Sequence, residues 1–125
     1  MNPPNDSRGY LVKMWAKPTQ KDLDNMPKLY STDKEGGNAT NIVQGHFFVA
    51  GCDWYVTEYD PEDRIFYGFA ILNGDYQMAE WGLISLKELE DLTIGGIMEV
   101  DYDKHWSKPQ VKDVEKIKLG GGVYE

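Results

Sequence analysis

The sequence predicts an α+β fold: one domain with a mainly antiparallel β-sheet of about five strands and one or two short helices packed on it. Strand-like runs rich in aromatic and β-branched residues recur at short intervals between residues 43 and 106, separated by turn signals. A strong helix start, Ser85-Leu86-Lys87-Glu88, comes only after most of those runs. Strict strand-helix-strand alternation, the mark of a parallel sheet, is absent.

The single domain is taken as 1–125, with 1–9 (Pro3, Pro4, Asn5, Asp6, Ser7) as a flexible leader and 120–125, opening on Gly120-Gly121-Gly122, as a frayed tail. Thr19 can cap a short helix whose apolar side is Leu23 and Met26; Asp22 favours the positive end of its dipole and Pro27 ends it. Residues 31–41, with Gly36 and Gly37, read as an exposed loop. Strands follow at 43–50 and 54–59, and the turn Asp60-Pro61-Glu62-Asp63 leads into 65–72. Because 65–72 is apolar on both faces it belongs in the middle of the sheet, with Gly68 marking a close backbone approach or a bulge. Asn73-Gly74 is a tight-turn signal that returns the chain along 77–84.

Ser85 and Glu88 form a capping-box pattern, and the helix they open carries Leu86, Leu89 and Leu92 on one stripe before Gly95-Gly96. That stripe must cover one face of the sheet. Residues 98–106 make a fifth strand, and 111–119 fits strand or helix equally well.

At 125 residues and 41% hydrophobic content, with four Trp, eight Tyr and four Phe, the chain can bury one core. The net charge of −8 argues against binding nucleic acid directly and favours a basic partner. Cys52 is the only cysteine and reads as a small buried hydrophobe. Residues 1–8 are polar and the longest apolar run, 65–72, is too short to span a bilayer, so the expected location is the cytoplasm, away from membranes.

The most suggestive stretch for chemistry is Glu99-Val100-Asp101-Tyr102-Asp103-Lys104-His105-Trp106. On a strand, Glu99, Asp101, Asp103 and His105 would line one side and Val100, Tyr102 and Trp106 the other. Asp101, Asp103 and His105 are the metal candidates by ligand type. An extended strand spaces them about 6–7 Å apart, and no cysteine cluster or His-x-x-x-His supports them, so no metal and no cofactor is expected. Glu58, placed with Trp54 and Val56 on one strand face, could act as an acid or base with His46 or His105. Two histidines in the whole chain are thin support for such an enzyme. Gly-x-Ser-x-Gly, Gly-x-Gly-x-x-Gly and Walker patterns are missing. The aromatics Trp15, Tyr30, Trp54, Tyr55, Tyr59, Trp81, Tyr102 and Trp106 are read mostly as core, any exposed ones as base-stacking or interface groups.

Several segments occur in a familiar order: Met26-Pro27-Lys28-Leu29-Tyr30-Ser31-Thr32, His46-Phe47-Phe48, Trp54-Tyr55-Val56-Thr57-Glu58-Tyr59-Asp60, Phe66-Tyr67-Gly68, the run from Trp81 to Glu90, and Glu99-Val100-Asp101 with Lys108-Pro109. From about residue 19 to about 114 the chain resembles the bacterial and phage family catalogued as domain of unknown function 2958. The resemblance implies a small protein of plasmids, phages or integrated elements, found beside genes that counter host defences, and it carries over no catalytic residue. Residues 9–15 and the 73–79 turn look longer than the family pattern.

Together these readings lead to a non-enzymatic binding protein that counteracts a host defence factor, of anti-CRISPR or anti-restriction type. Its carboxylates would imitate phosphate and occupy the basic, nucleic-acid-binding surface of a protein partner. The expected contacts are Asp60, Glu62, Asp63, Glu99, Asp101 and Asp103, each of which has simple solvation as its plainer role. The alternatives are a binding module or sponge for a nucleotide signal, using Trp and Tyr as a stacking platform, and a metal-dependent enzyme.

Overall fold

Alternation of side chains builds the sheet, and burial of both its faces decides which strands lie in the middle. The structure, a computed structural model, describes residues 16–32 and 37–124. Helix α1 (Gln20–Asp24) starts where expected, with Thr19 and Asp22 forming a reciprocal capping box. Then come β1 (Gly45–Val49), β2 (Cys52–Asp60), β3 (Ile65–Ile71), β4 (Glu80–Ser85) and α2 (Leu86–Asp91). The short strands β5 (Thr93–Ile94), β6 (Met98–Glu99) and β7 (Asp101–Tyr102) follow, and a 3₁₀ turn (Val111–Asp113) leads into α3 (Glu115–Leu119). The main sheet is antiparallel throughout, in the order β4-β3-β2-β1-β7.

One face packs Phe47, Val49, Trp54, Val56, Phe66 and Tyr102 against Met26, Leu86, Leu89 and Val100, so α1 and α2 cover it. The other packs Tyr55, Phe69 and Ile71 against Val43, Val111, Val114 and Ile117, so the closing segment covers it. Each such side chain contributes about 1.5–3 kcal/mol when fully buried. With both faces covered, β2 is buried from Cys52 to Tyr59 and β3 from Phe66 to Phe69, as the apolar character of 65–72 predicts.

Gly68 faces Val56 across the β2–β3 pair, next to a register shift between Val56 and Glu58. A methyl group at Gly68 would overlap the Tyr55 carbonyl oxygen, so the close approach read from the sequence is real and the bulge sits on the partner strand.

The expected fifth strand, 98–106, is divided. Met98–Glu99 pairs with β5 and Asp101–Tyr102 with β1. Neighbours Glu99 and Val100 are both buried (4% and 0% exposed), so alternation fails between them and the backbone turns from one sheet into the other. β4 begins at Glu80 rather than at residue 77, because Asp75 Oδ1 accepts the Gln77 and Met78 N–H groups and prolongs the turn. The closing segment resolves as helix.

The expected frayed tail is docked as far as residue 124. Trp81 Nε1 donates to the Gly122 carbonyl (2.8 Å) and the Tyr124 N–H to that of Gly37 (2.6 Å). Gly120 and Gly122 lie so close to the Phe69 ring that a Cβ on either would overlap it. These glycines serve contact, where the sequence suggested freedom. That docking also buries Gly37, inside the 31–41 loop expected to be exposed. The leader 1–9 and the 9–15 extension lie outside the described residues.

Leu89, 3% exposed under the sheet, sets the first test. Leu89→Ala should lower stability by roughly 2–4 kcal/mol in a denaturant titration, since it leaves a cavity; a loss below about 0.5 kcal/mol would contradict its core position.

Candidate functional site

The bulge at Thr57 carries the first functional feature. Because Val56 faces Gly68 and Glu58 faces Tyr67, Glu58 points to the face opposite Trp54 and Val56, not to theirs as strict alternation suggested. There Glu58 is 0% exposed. Its carboxylate accepts the Tyr30 N–H (2.7 Å), the Thr32 N–H (3.0 Å) and the Thr32 hydroxyl. Asn41 Nδ2 in turn donates to Thr32 Oγ1 (3.0 Å), and the Tyr59 N–H donates to the Pro27 carbonyl (2.9 Å). These bonds seat the 28–32 loop on the end of β2. Tyr30 sits in left-handed backbone (φ 65°), with its side chain 49% exposed and its ring 6.4 Å from Tyr67.

Beside Tyr30 the surface forms a hollow of about 560 Å³ lined by Lys28, Leu29, Tyr59, Asp60, Pro61 and Glu62. Asp60 Oδ1 accepts the Glu62 N–H (3.0 Å), which shapes the turn, while Glu62 and Asp63 are exposed. Three of the expected partner contacts therefore stand together, next to one of the aromatics expected to be core or, where exposed, an interface group.

A second cluster lies on the same face as Tyr55. The two-residue turn Ala50-Gly51 sets Tyr55 opposite His46 and Asp53 opposite Phe48, so His46 and Asp53 meet on the diagonal. His46 Nε2 is 2.7 Å from Asp53 Oδ1, and Lys116 Nζ of α3 donates to Asp53 Oδ2 (3.0 Å). The His46 ring stacks on Tyr55 (4.5 Å, 7°), with Trp106 5.1 Å away. Burial alone would raise the Asp53 pKa, but the hydrogen bonds and charges of His46 and Lys116 outweigh it and hold the carboxyl below its ordinary value. Burial, with the charge of Asp53 added, pushes the Tyr55 hydroxyl well above its usual range.

His46, which the sequence offered beside His105 as a possible partner for Glu58, is engaged by Asp53 instead. A hollow of about 330 Å³ beside it is lined by His46, Phe48, Asp53, Asp103 and Lys116. Lys116 is spent on Asp53 there and Asp103 adds negative charge, which suits a phosphate poorly. The sequence signal for the cluster was the pair of polar residues, His46 and Asp53, interrupting apolar strand runs.

The acidic row does not assemble. Glu99 is buried, at the wall of a hollow that it lines with Asp101, Phe48 and Met98. Asp101 Oδ1 accepts its neighbour's N–H at Tyr102 (2.9 Å). Asp103 Oδ1 accepts the His105 N–H (2.9 Å), and the Trp106 N–H returns to the Asp103 carbonyl (3.3 Å), so the chain turns where a strand was expected. Trp106 Nε1 then donates to Val43 O (2.8 Å). Among the described residues no group of three or more His, Cys, Asp or Glu side chains is placed to hold a metal ion. Burial, with smaller contributions from Asp22 and Asp103, pushes the Tyr102 hydroxyl up to about 12. Asp101, opposite Phe48, lies near the Ala50-Gly51 end of the sheet. Asp60, Glu62 and Asp63 lie at the other end, roughly 25 Å along β2 at about 3.3 Å per residue. Cys52 is buried, and its Sγ accepts the Asn73 N–H (3.4 Å).

A family model described as Protein of unknown function (DUF2958) matches residues 16–112. No curated protein and no solved structure matches the chain. Among the described residues no helix is long and apolar enough to cross a membrane.

Two outcomes follow from the carboxylates. Glu58→Gln puts a donor among the donors of Tyr30 and Thr32, and should cost about 1–3 kcal/mol while speeding amide exchange at both residues; unchanged exchange there would contradict the anchoring role. For Asp53 the folded pKa lies below the ordinary 3.8, so its contribution to stability is present above that pH and is lost as pH falls through the lower folded value. Denaturation at about pH 7 and about pH 3 should therefore show Asp53→Asn less stable than the parent at the higher pH, with the gap narrowing at the lower. A gap independent of pH would refute the ionic role.

Proposed function

The chain belongs to the family described as Protein of unknown function (DUF2958), and from that premise and the Tyr30 loop we propose a non-enzymatic binding protein. Its partner is a protein with a basic, nucleic-acid-binding surface, of the kind found in host defence factors. The observation that carries the reading is the presentation of Tyr30: left-handed backbone, a half-exposed ring, and a buried carboxylate beneath it, with Asp60 and Glu62 lining the same hollow. Backbone held in a sparsely populated region by an over-determined set of bonds is a mark of functional sites. A rigid tyrosine gives a partner apolar area at little entropic cost, and the carboxylates beside it supply charge complementarity.

The overall charge of −8 adds long-range attraction for a basic surface. Glu62 and Asp63, free to face outward, are the groups that would stand where phosphates stand. The nucleotide-sponge alternative draws less support, because Lys116 in the His46 hollow is already paired with Asp53. The buried carboxylates nearest the two hollows, Asp53 lining one and Glu58 under the Tyr30 loop, are engaged in holding structure, which favours binding over catalysis.

The test begins with capture of a partner from a host lysate, followed by titration. Asp60→Asn, Glu62→Gln and Asp63→Asn made together, and Tyr30→Ala made alone, should each weaken binding at least about tenfold, ~1.4 kcal/mol. Binding by the parent should weaken with salt and be competed by DNA or RNA. Folding should survive, because exposed charges contribute little and Asn at position 60 retains the Oδ1 acceptor used by Glu62. A partner that binds both variants like the parent, with no response to salt or nucleic acid, overturns the proposal.

A further inference from the structure

Among the described residues β4 is a free edge: it pairs with β3 on one side and with no strand on the other. In an antiparallel pair, residues alternate between those whose backbone groups face the partner and those whose groups face away. The Leu86 N–H donates to Arg64 O (3.0 Å), one step beyond the Ile65↔Ser85 pair. Counting back from that bond, Ile84, Gly82 and Glu80 bond to β3, and the backbone groups of Trp81 and Leu83 point outward together with the Ser85 N–H, the carbonyl of Ser85 serving α2 as its N-cap.

Protein edges are ordinarily blunted by lysine, proline or a bulge. β4 reads Glu80-Trp81-Gly82-Leu83-Ile84-Ser85, with one charge at its first position, no proline and an unbroken register. Leu83, in the middle of the outward set, is 56% exposed. A Cβ built on Gly82 meets nothing within 4 Å, so the sheet face beside Leu83 is open as well.

We infer that β4 is a self-association edge, on which a second copy of the chain lays its own β4 antiparallel about a two-fold axis through Leu83. The occupant follows from the parity of the outward groups. Two such edges can bond only if outward residues meet outward residues, and with Leu83 opposite Leu83 of the second copy the two leucines exchange a pair of bonds while each Ser85 N–H meets the Trp81 carbonyl across the axis. In that register the Glu80 of one copy and the Glu80 of the other lie at opposite ends of the paired strands, so the single β4 charge never faces its like. Chains carrying −8 each repel, and along β4 only Glu80, at the first position, brings a carboxylate to the seam. The two exposed leucines cover each other at the axis. None of β4 belongs to the Tyr30 hollow, so the inference stands apart from the proposed partner site.

Sedimentation velocity on the full chain across a concentration series should show a monomer–dimer equilibrium. Leu83→Asp, which sets two carboxylates face to face, should weaken dimerisation at least about tenfold, with circular dichroism and melting temperature reporting the fold. Leu83→Cys gives a second readout: directly opposed residues of a bonded pair have Cα atoms about 5.5 Å apart, so mild oxidation should yield a covalent dimer. Lys87→Cys, exposed on α2, should not cross-link, and native Cys52 is too buried to compete. A parent that stays monomeric at every concentration, with Leu83→Cys cross-linking no faster than Lys87→Cys, overturns the inference. So does a dimer indifferent to Leu83→Asp, or an edge that accepts only a strand of another protein.

Discussion

β2 is buried from Cys52 to Tyr59, and it carries two carboxylates, Asp53 and Glu58, that must be satisfied where water does not reach. An ion left unpaired in such a place costs several kcal/mol, enough to consume much of the stability of a small domain. The fold answers by bringing a separate element to each. Lys116 of α3 and His46 of β1 come to Asp53; the Tyr30–Thr32 backbone comes to Glu58. The central strand thereby determines where two peripheral segments sit. Closing-segment packing on Tyr55, Phe69 and Ile71 supplies the apolar area, and the Lys116 ion pair fixes its position along the strand.

How far this was legible in the sequence varies with the range of the signal. Local signals held: the Thr19 cap, the Leu86 and Leu89 stripe and the central place of 65–72 all follow from spacing within one element. What failed depended on pairing. One extra residue at Thr57 exchanges the faces of Glu58 and Tyr59, and nothing in Val56-Thr57-Glu58 announces it; the constraint is Gly68 on the next strand. The His46–Asp53 contact requires the hairpin register, which rests on Ala50 adopting φ 43°, a conformation that alanine does not advertise. Gly120 and Gly122 read as freedom because a glycine chosen for contact looks like one chosen for flexibility until the Phe69 ring is placed against it.

The acidic residues show the same limit. Composition counts 21 Asp and Glu as one property, whereas the fold divides them by task. Asp53, Glu58 and Glu99 are buried; Asp22, Asp75 and Asp103 hold helix or turn backbone. Glu62 and Asp63 remain in the open on a turn that Asp60 shapes. A charge-imitating surface is therefore narrower than the sequence suggests, and its value to a partner depends on what stands beside it. Tyr30 gives that narrow patch an apolar anchor, which scattered carboxylates lack.

The anchoring also bears on how such a patch would work. Loop tips normally open at little cost because their bonds face water. The 28–32 loop differs, since lifting it away would cost the Glu58 carboxylate its bonds to the Tyr30 and Thr32 N–H groups and the Thr32 hydroxyl. Its opening therefore carries the cost of breaking bonds to a buried charge, so Tyr30 is held more firmly than an ordinary loop tip. The entropy of ordering a recognition loop is then spent once, during folding, and need not be charged again against the affinity for a partner. The β4 edge stands at the other extreme. Its outward groups are ordered by the sheet and, among the described residues, no strand pairs with them, so a second strand would meet preformed donors and acceptors and contribute only its own alignment. In both places rigidity comes from the same source, a central strand pair covered on two faces.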